Sequence, residues 1–290
     1  MVEEVREQVI RAAAYRPYEG GKRVFVIEAA EAMRDESQNA MLKTLEEPPE
    51  FVHLILLTAE PAALLETIAS RCQPVDFAPL PPEAVEAALP AGDPDDLATA
   101  ARLSAGDLDL ARFLLSDSGR ELRAAANGLT RAVGSGSPDT QRVSASGESG
   151  PTAPWRSLLK RAEEAGEEAE AAARDALEAD KDAGVKRSAR DIADASKRAG
   201  RRRRTELLDL GLDLVAAWFR DLAATASGAS DVVYNRDRLA ELQSQAAGLD
   251  PGTARRAAEL VQDTRRRLDL NVSEELALEA LSFRLAAVLG

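Results

Sequence analysis

Few side chains in this 290-residue chain are of a type that does chemistry, and their spacing narrows the choice. One cysteine, Cys72, and one histidine, His53, cannot assemble a Cys/His zinc site, so no metal centre is expected. Cys72 has no base near it in sequence and reads as a small packing residue, while His53 precedes an apolar run and reads as an edge residue. A phosphate-cradling loop needs Gly-x-x-x-x-Gly-Lys-Ser/Thr, and the chain contains no match. Gly20-Gly21-Lys22 is nearest; lacking the first glycine and a following helix, it reads as a turn. Glu28 ends an apolar run, where it could approach a magnesium ion or simply be an exposed acid, and the next residue, Ala29, cannot orient a water. Thr58 ends the second such run, a polar position that is also ordinary strand composition. Arg71, between Ser70 and Cys72, carries a planar fork of donors that suits phosphate; by position alone it complements the C-terminal dipole of a helix over 62–70. Lys43, Glu46 and Glu47 read as surface salt-bridging residues.

The elements that must position these residues follow from hydrophobic spacing. Glu3 to Ala14 has Val5, Val9, Ile10 and Ala13 at helical intervals, and Pro17 with Gly20-Gly21 breaks it. Val24 to Ile27 and Val52 to Leu57 are short continuous apolar runs that suit strands buried on both faces of a parallel sheet. Between them Ser37 to Glu47 predicts a helix halted by Pro48-Pro49, which makes a βαβ unit. A third cycle is expected, with Ala62 to Ser70 helical and Val75-Asp76-Phe77 a short strand.

From Pro79 the pattern is helical throughout: Pro82 to Leu89, Pro94 to Leu103, Leu108 to Leu115 and Gly119 to Val133. A Gly/Ser/Pro-rich stretch over 134–154 predicts a flexible loop. Trp155 to Ala183 is an Ala/Glu-rich helix with a thin apolar face, and Lys186 to Ala226 a core helix with one wide stripe. Arg238 to Ala247, Thr253 to Leu268 and Ser273 to Leu289 complete the set, with Asn271 or Ser273 as the last N-cap.

Composition sets bounds on function. Hydrophobic residues make up 45% but aromatics only 4%, which favours Ala/Leu helix interfaces over β-sandwich cores. No run of apolar residues is long enough for a membrane span and no leader-like segment opens the chain, so a cytoplasmic protein with no membrane partner is expected. The net charge of -13 argues against this chain alone gripping a phosphate backbone, so any DNA is expected to be reached through partners. The Arg201 to Arg204 run abuts the acidic helix of 160–182, and such opposite blocks more often pair with each other or with a partner helix than with nucleic acid.

RVFVIEAAEAMRDESQNAMLKTLEEPP (Arg23 to Pro49) and LLETIASRCQPVDF (Leu64 to Phe77) resemble the AAA+ core of bacterial clamp-loader subunits, most closely those of the delta-prime type. LSAGDLDLARFLL (Leu103 to Leu115) looks like the family's lid, and NVSEELALEALSFRL (Asn271 to Leu285) like its final collar helix; 134–185 has no counterpart. The resemblance implies an α/β part followed by an all-α part. These would be a partial AAA+ P-loop-type parallel sheet (1–78), a small helical lid (79–118) and a helical collar bundle for oligomerisation (119–290). In the family's order the P-loop precedes residue 1, so the chain is expected to begin partway into its nucleotide-binding domain, roughly a small domain short.

The resemblance further implies a non-hydrolysing subunit of the DNA polymerase III holoenzyme, itself a DNA-directed DNA polymerase (nucleotidyltransferase). The subunit would support the ring that loads the sliding clamp on primed DNA. Arg71 of the Ser70-Arg71-Cys72 motif would be an arginine finger reaching the γ-phosphate of a neighbour's ATP, with Glu28 and Thr58 in the nucleotide and sensor region. ATP and magnesium would sit on neighbouring subunits, with no cofactor in this chain. The partners would be gamma/tau-type and delta-type subunits, the clamp indirectly and DNA through the complex. Two alternatives remain open: an active AAA+ ATPase whose P-loop lies upstream, against which Ala29 counts, and a helical adaptor with no ATPase role.

Overall fold

The computed structural model describes residues 9–18, 20–134, 153–182, 188–268, 270 and 272–290. Most of the expected opening helix and nearly all of the 134–154 loop lie outside them; Val9 and Ala13, which are described, are buried in a short helical turn. The chain divides into two compact units, Met1–Ala78 and Pro79–Gly290. It is mostly helical, with a two-stranded parallel sheet in the first unit.

In the first unit, β1 (Arg23–Ile27) pairs in parallel with β2 (Val52–Leu56), in a register that sets Arg23 opposite Val52 and Ile27 opposite Leu56. The crossover is α1 (Asp35–Glu46), which opens with Asp35 and Glu36 on the positive end of its dipole and stops before Pro48-Pro49. Met41 is fully buried against Ala30, Met33 and Ile68, with Ile27, Leu54, Leu56, Leu64 and Leu65 packed around them. This is the expected βαβ unit, with two corrections.

The strands are not buried on both faces: burial alternates, and Val24, Val26 and Ile55 lie exposed on the face away from the core. Apart from His53, which lies within β2 rather than before it and is exposed like Ile55, both runs are apolar, so the sequence carries little alternation to show which face is covered; that depends on what packs there. Val75–Phe77 is not a strand either. It joins no ladder among the described residues, and Phe77 is 89% exposed, because extended chain without a neighbour has no partner for its N–H and C=O groups. The helix expected over 62–70 is broken as well. A tight turn at Pro61–Ala63 is followed by extended Leu64 and Leu65 and then a single helical turn, α2 (Glu66–Ala69); the break turns both leucines into the core.

The second unit contains α3 (Pro82–Ala88), α4 (Pro94–Leu103), α5 (Leu108–Leu115), α6 (Asp117–Gly134), α7 (Arg156–Asp182), α8 (Ala189–Ala226), α9 (Leu239–Ala246), α10 (Pro251–Leu268) and α11 (Glu274–Leu289). Asp93 and Asp107 cap α4 and α5, each side chain accepting two backbone N–H bonds. Leu122, Ala126, Leu129 and Val133 of α6, and Ala254, Ala257, Val261 and Thr264 of α10, repeat at helical spacing and are buried. They pack around α8, whose Leu212, Val215, Trp218, Phe219 and Leu222 form the centre.

Thr99 on α4 donates to Asp237 at 3.0 Å and Asp237 also pairs with Arg123 of α6, so the first small helices are tied into the same unit as the bundle. α7 runs antiparallel to α8, Leu158 meeting Gly211 and Gly166 meeting Gly200. The acidic and basic blocks do meet: Arg204 reaches Glu163 at 3.2 Å and Glu274 at 2.5 Å. Ser273 stands at the N-cap of α11 without a capping side-chain bond; Asn271 lies outside the described residues.

Candidate functional site

The C-terminal ends of β1 and β2 bring the strand-end candidates to one edge of the first unit. Ladder bonds continue past the strands, with Leu57 N–H donating to Ile27 O and Ala30 N–H to Leu57 O, both at 2.9 Å. Between these bonds the chain must turn sharply, and Ala29 does so in the left-handed region (φ 49°, ψ 52°), an unfavourable conformation for a residue with a Cβ. Glu28 is exposed there. Ala29 presents a methyl group and no hydrogen-bonding side chain, so nothing at that position can hold or polarise a water.

Thr58 is engaged within its own chain. Its Oγ1 accepts the Glu60 N–H at 3.0 Å, and its hydroxyl lies near the carboxylate of Glu31. Glu31 is held below the usual carboxylate range, first by its own backbone N–H, then by Thr58, with the Ala59 N–H adding to them. Sequence reasoning missed Glu31, because its approach to Thr58 joins two strand ends that only the parallel pairing brings together.

Arg71 stands apart from that edge and shares no contact with Glu28 or Thr58; its partners are on α1 and α2. Nε and Nη2 both donate to Oε1 of Glu46, at 2.9 and 2.5 Å, and Nη1 donates to the Thr67 carbonyl at 2.9 Å. The contact to Ser70 Oγ is long, 3.4 Å, and Ser70 Oγ itself donates to the Thr67 carbonyl at 3.3 Å. The Arg71 side chain remains 35% exposed. Its carbonyl partner belongs to the last turn of α2, so the dipole reading holds in part; the main anchor is a carboxylate 25 residues away. Cys72, half-buried against the Met41 cluster, has its thiol pushed up by burial, which makes it a packing residue and a poor nucleophile.

What fixes α2 against α1 is Gln38, also missed. Buried on α1, it donates to Met33 O at 3.0 Å and accepts the Leu65 N–H at 2.8 Å, pinning the extended pair that precedes α2. The available signal was an amide on the stripe that also carries Met41, Leu42 and Leu45, where an apolar residue belongs.

Residues 1–81 match the family model described as "DNA polymerase III, delta subunit". Similar proteins include the DNA polymerase III subunit delta' of Bacillus subtilis, 43% identical over 68 residues, covering 23% of this chain and 21% of that protein. The delta' subunit of Pseudomonas aeruginosa is 38% identical over 109 residues, covering 36% and 33%. The tau/gamma subunit of Haemophilus influenzae is 44% identical over 71 residues, covering 24% and 10%. The chain thus spans between a tenth and a third of the length of these relatives. The similarity falls on the α/β segment, which resembles DNA polymerase III delta' and tau/gamma subunits alike.

Proposed function

We propose that this chain serves as a non-hydrolysing subunit of a clamp loader of the DNA polymerase III type, helping to hold the ring together and lending Arg71 to the ATPase site of a neighbour. The observation that carries the reading is the mount of Arg71: a guanidinium gripped on one edge by Glu46 and by the end of α2, yet still partly exposed. A cation so held can meet a phosphate belonging to another chain, where its fixed charge stabilises the charge developing on the transferred phosphoryl group.

The residues present do not fit a resident nucleotide. No phosphate-cradling loop occurs in these 290 residues, Ala29 stands at the strand end, and Thr58 Oγ1 is taken by the Glu60 N–H. Assembly is supported by α11, which is apolar on two faces. Leu278, Leu281 and Leu285 pack inward, while Leu276, Ala280, Phe283 and Ala287 form a second stripe in the open.

The test is a reconstituted complex of this chain with gamma/tau-type and delta-type subunits, a sliding clamp and primed DNA. Arg71→Ala is expected to cut hydrolysis at the site it serves by on the order of a thousandfold, with assembly on gel filtration unchanged. Unchanged hydrolysis would overturn the finger role and favour the adaptor; hydrolysis by this chain alone would favour the active ATPase.

A further inference from the structure

We infer that Glu46 is a positioning residue, fixing the plane of the Arg71 guanidinium so that its outer edge is presented ready to bind; this rests on the reading of Arg71 as a finger. Arginine has five N–H donors: one on Nε and two on each Nη. Because Nε and Nη2 converge on the same oxygen of Glu46, the carboxylate occupies the side edge of the fork. Nη1 spends one donor on Thr67 O. What remains is one N–H on Nη2, beside an Nη1 whose other bond, to Ser70 Oγ, is long at 3.4 Å and can yield to a phosphate oxygen; two such donors make up the fork that grips two phosphate oxygens at once.

Glu46 stands on a fixed backbone, with its side chain 48% exposed. It is the last residue of α1, the chain leaves the helix at Glu47 and meets Pro48-Pro49, and Gln38 ties the same helix to the segment leading into α2. Without Glu46 the long Arg71 side chain would sample many rotamers, and ordering it would fall to the moment of the reaction. The carboxylate must also weaken the pull of the cation on a phosphate, so its presence in this position favours orientation over raw charge.

The experiment is a double-mutant cycle in the reconstituted complex, reading kcat and KM for ATP. Glu46→Ala is expected to lower kcat about tenfold with KM for ATP little changed, since a finger acts mainly on the transition state. Glu46→Gln, which keeps an acceptor oxygen, is expected to recover most of that loss. In the Arg71→Ala background Glu46→Ala should have no further effect, because there is then no side chain to position. An effect of equal size in that background, or a rise in kcat from Glu46→Ala alone, would overturn the inference. So would a normal rate for Glu46→Ala where Arg71→Ala is crippled; if Arg71→Ala itself is normal, the finger reading has failed first.

Discussion

At the scale of single residues, stability and the proposed function both turn on arginine–carboxylate pairs that no local pattern announces. Glu46 reads in sequence as a generic helix-surface acid, and the structure gives it the one partner that matters, because α1 and α2 pack with their C-terminal ends adjacent. Glu241 is a parallel case on α9. It accepts Arg131 at 2.8 and 2.9 Å and Arg238 at 3.0 Å, and these cations, Arg131 first, draw its carboxyl from 4.5 down to about 2. A depressed folded pKa contributes stability that is complete above about pH 4.5 and lost as pH falls toward 2. Because Arg131 is 61% exposed, solvent screening limits the pair to about 1 kcal/mol. Glu241→Gln should therefore lower the urea midpoint modestly at pH 7, and the difference from the parent should shrink to nothing as pH approaches 2. Parallel acid limbs for the two proteins would show that the carboxylate is not the source.

At the scale of elements, helix spacing was legible from the sequence for almost the whole second unit, since a one-sided apolar stripe has one stable burial. Contact between helices was not. Gly200 on α8 sits against Gly166 on α7, where an added Cβ would lie 2.8 Å from the Gly166 carbonyl oxygen and 2.9 Å from Glu170 Cβ. Alanine should gain about 1 kcal/mol in helix propensity there and lose about 1–3 kcal/mol by prising the helices apart, so Gly200→Ala is expected to destabilise. Gly128 on α6 has nothing within 4 Å of the same position, and Gly128→Ala should stabilise by about 0.5–1 kcal/mol. Denaturant midpoints moving in the same direction for both variants would contradict the close approach.

At the scale of the whole molecule, surfaces left apolar by folding carry the argument for assembly. Leu276 is 63% exposed and shares its stripe with Phe283, on a helix whose other side is already in the core. Leu276→Glu combined with Phe283→Glu should abolish incorporation into the reconstituted ring while leaving the melting temperature of the chain alone unchanged; normal incorporation would remove α11 from the interface. By itself the sequence determined the βαβ beginning, the helical remainder and the motif around Arg71, because periodicity, proline stops and residue type act locally. Only the tertiary structure decided that, among the described residues, Val75–Phe77 joins no ladder and one sheet face stays open, that Glu31 stands beside Thr58 and that Glu46 holds Arg71. Each depends on groups far apart in the chain being brought within bonding distance, or left without a neighbour, and that is a property of packing rather than of order along the chain.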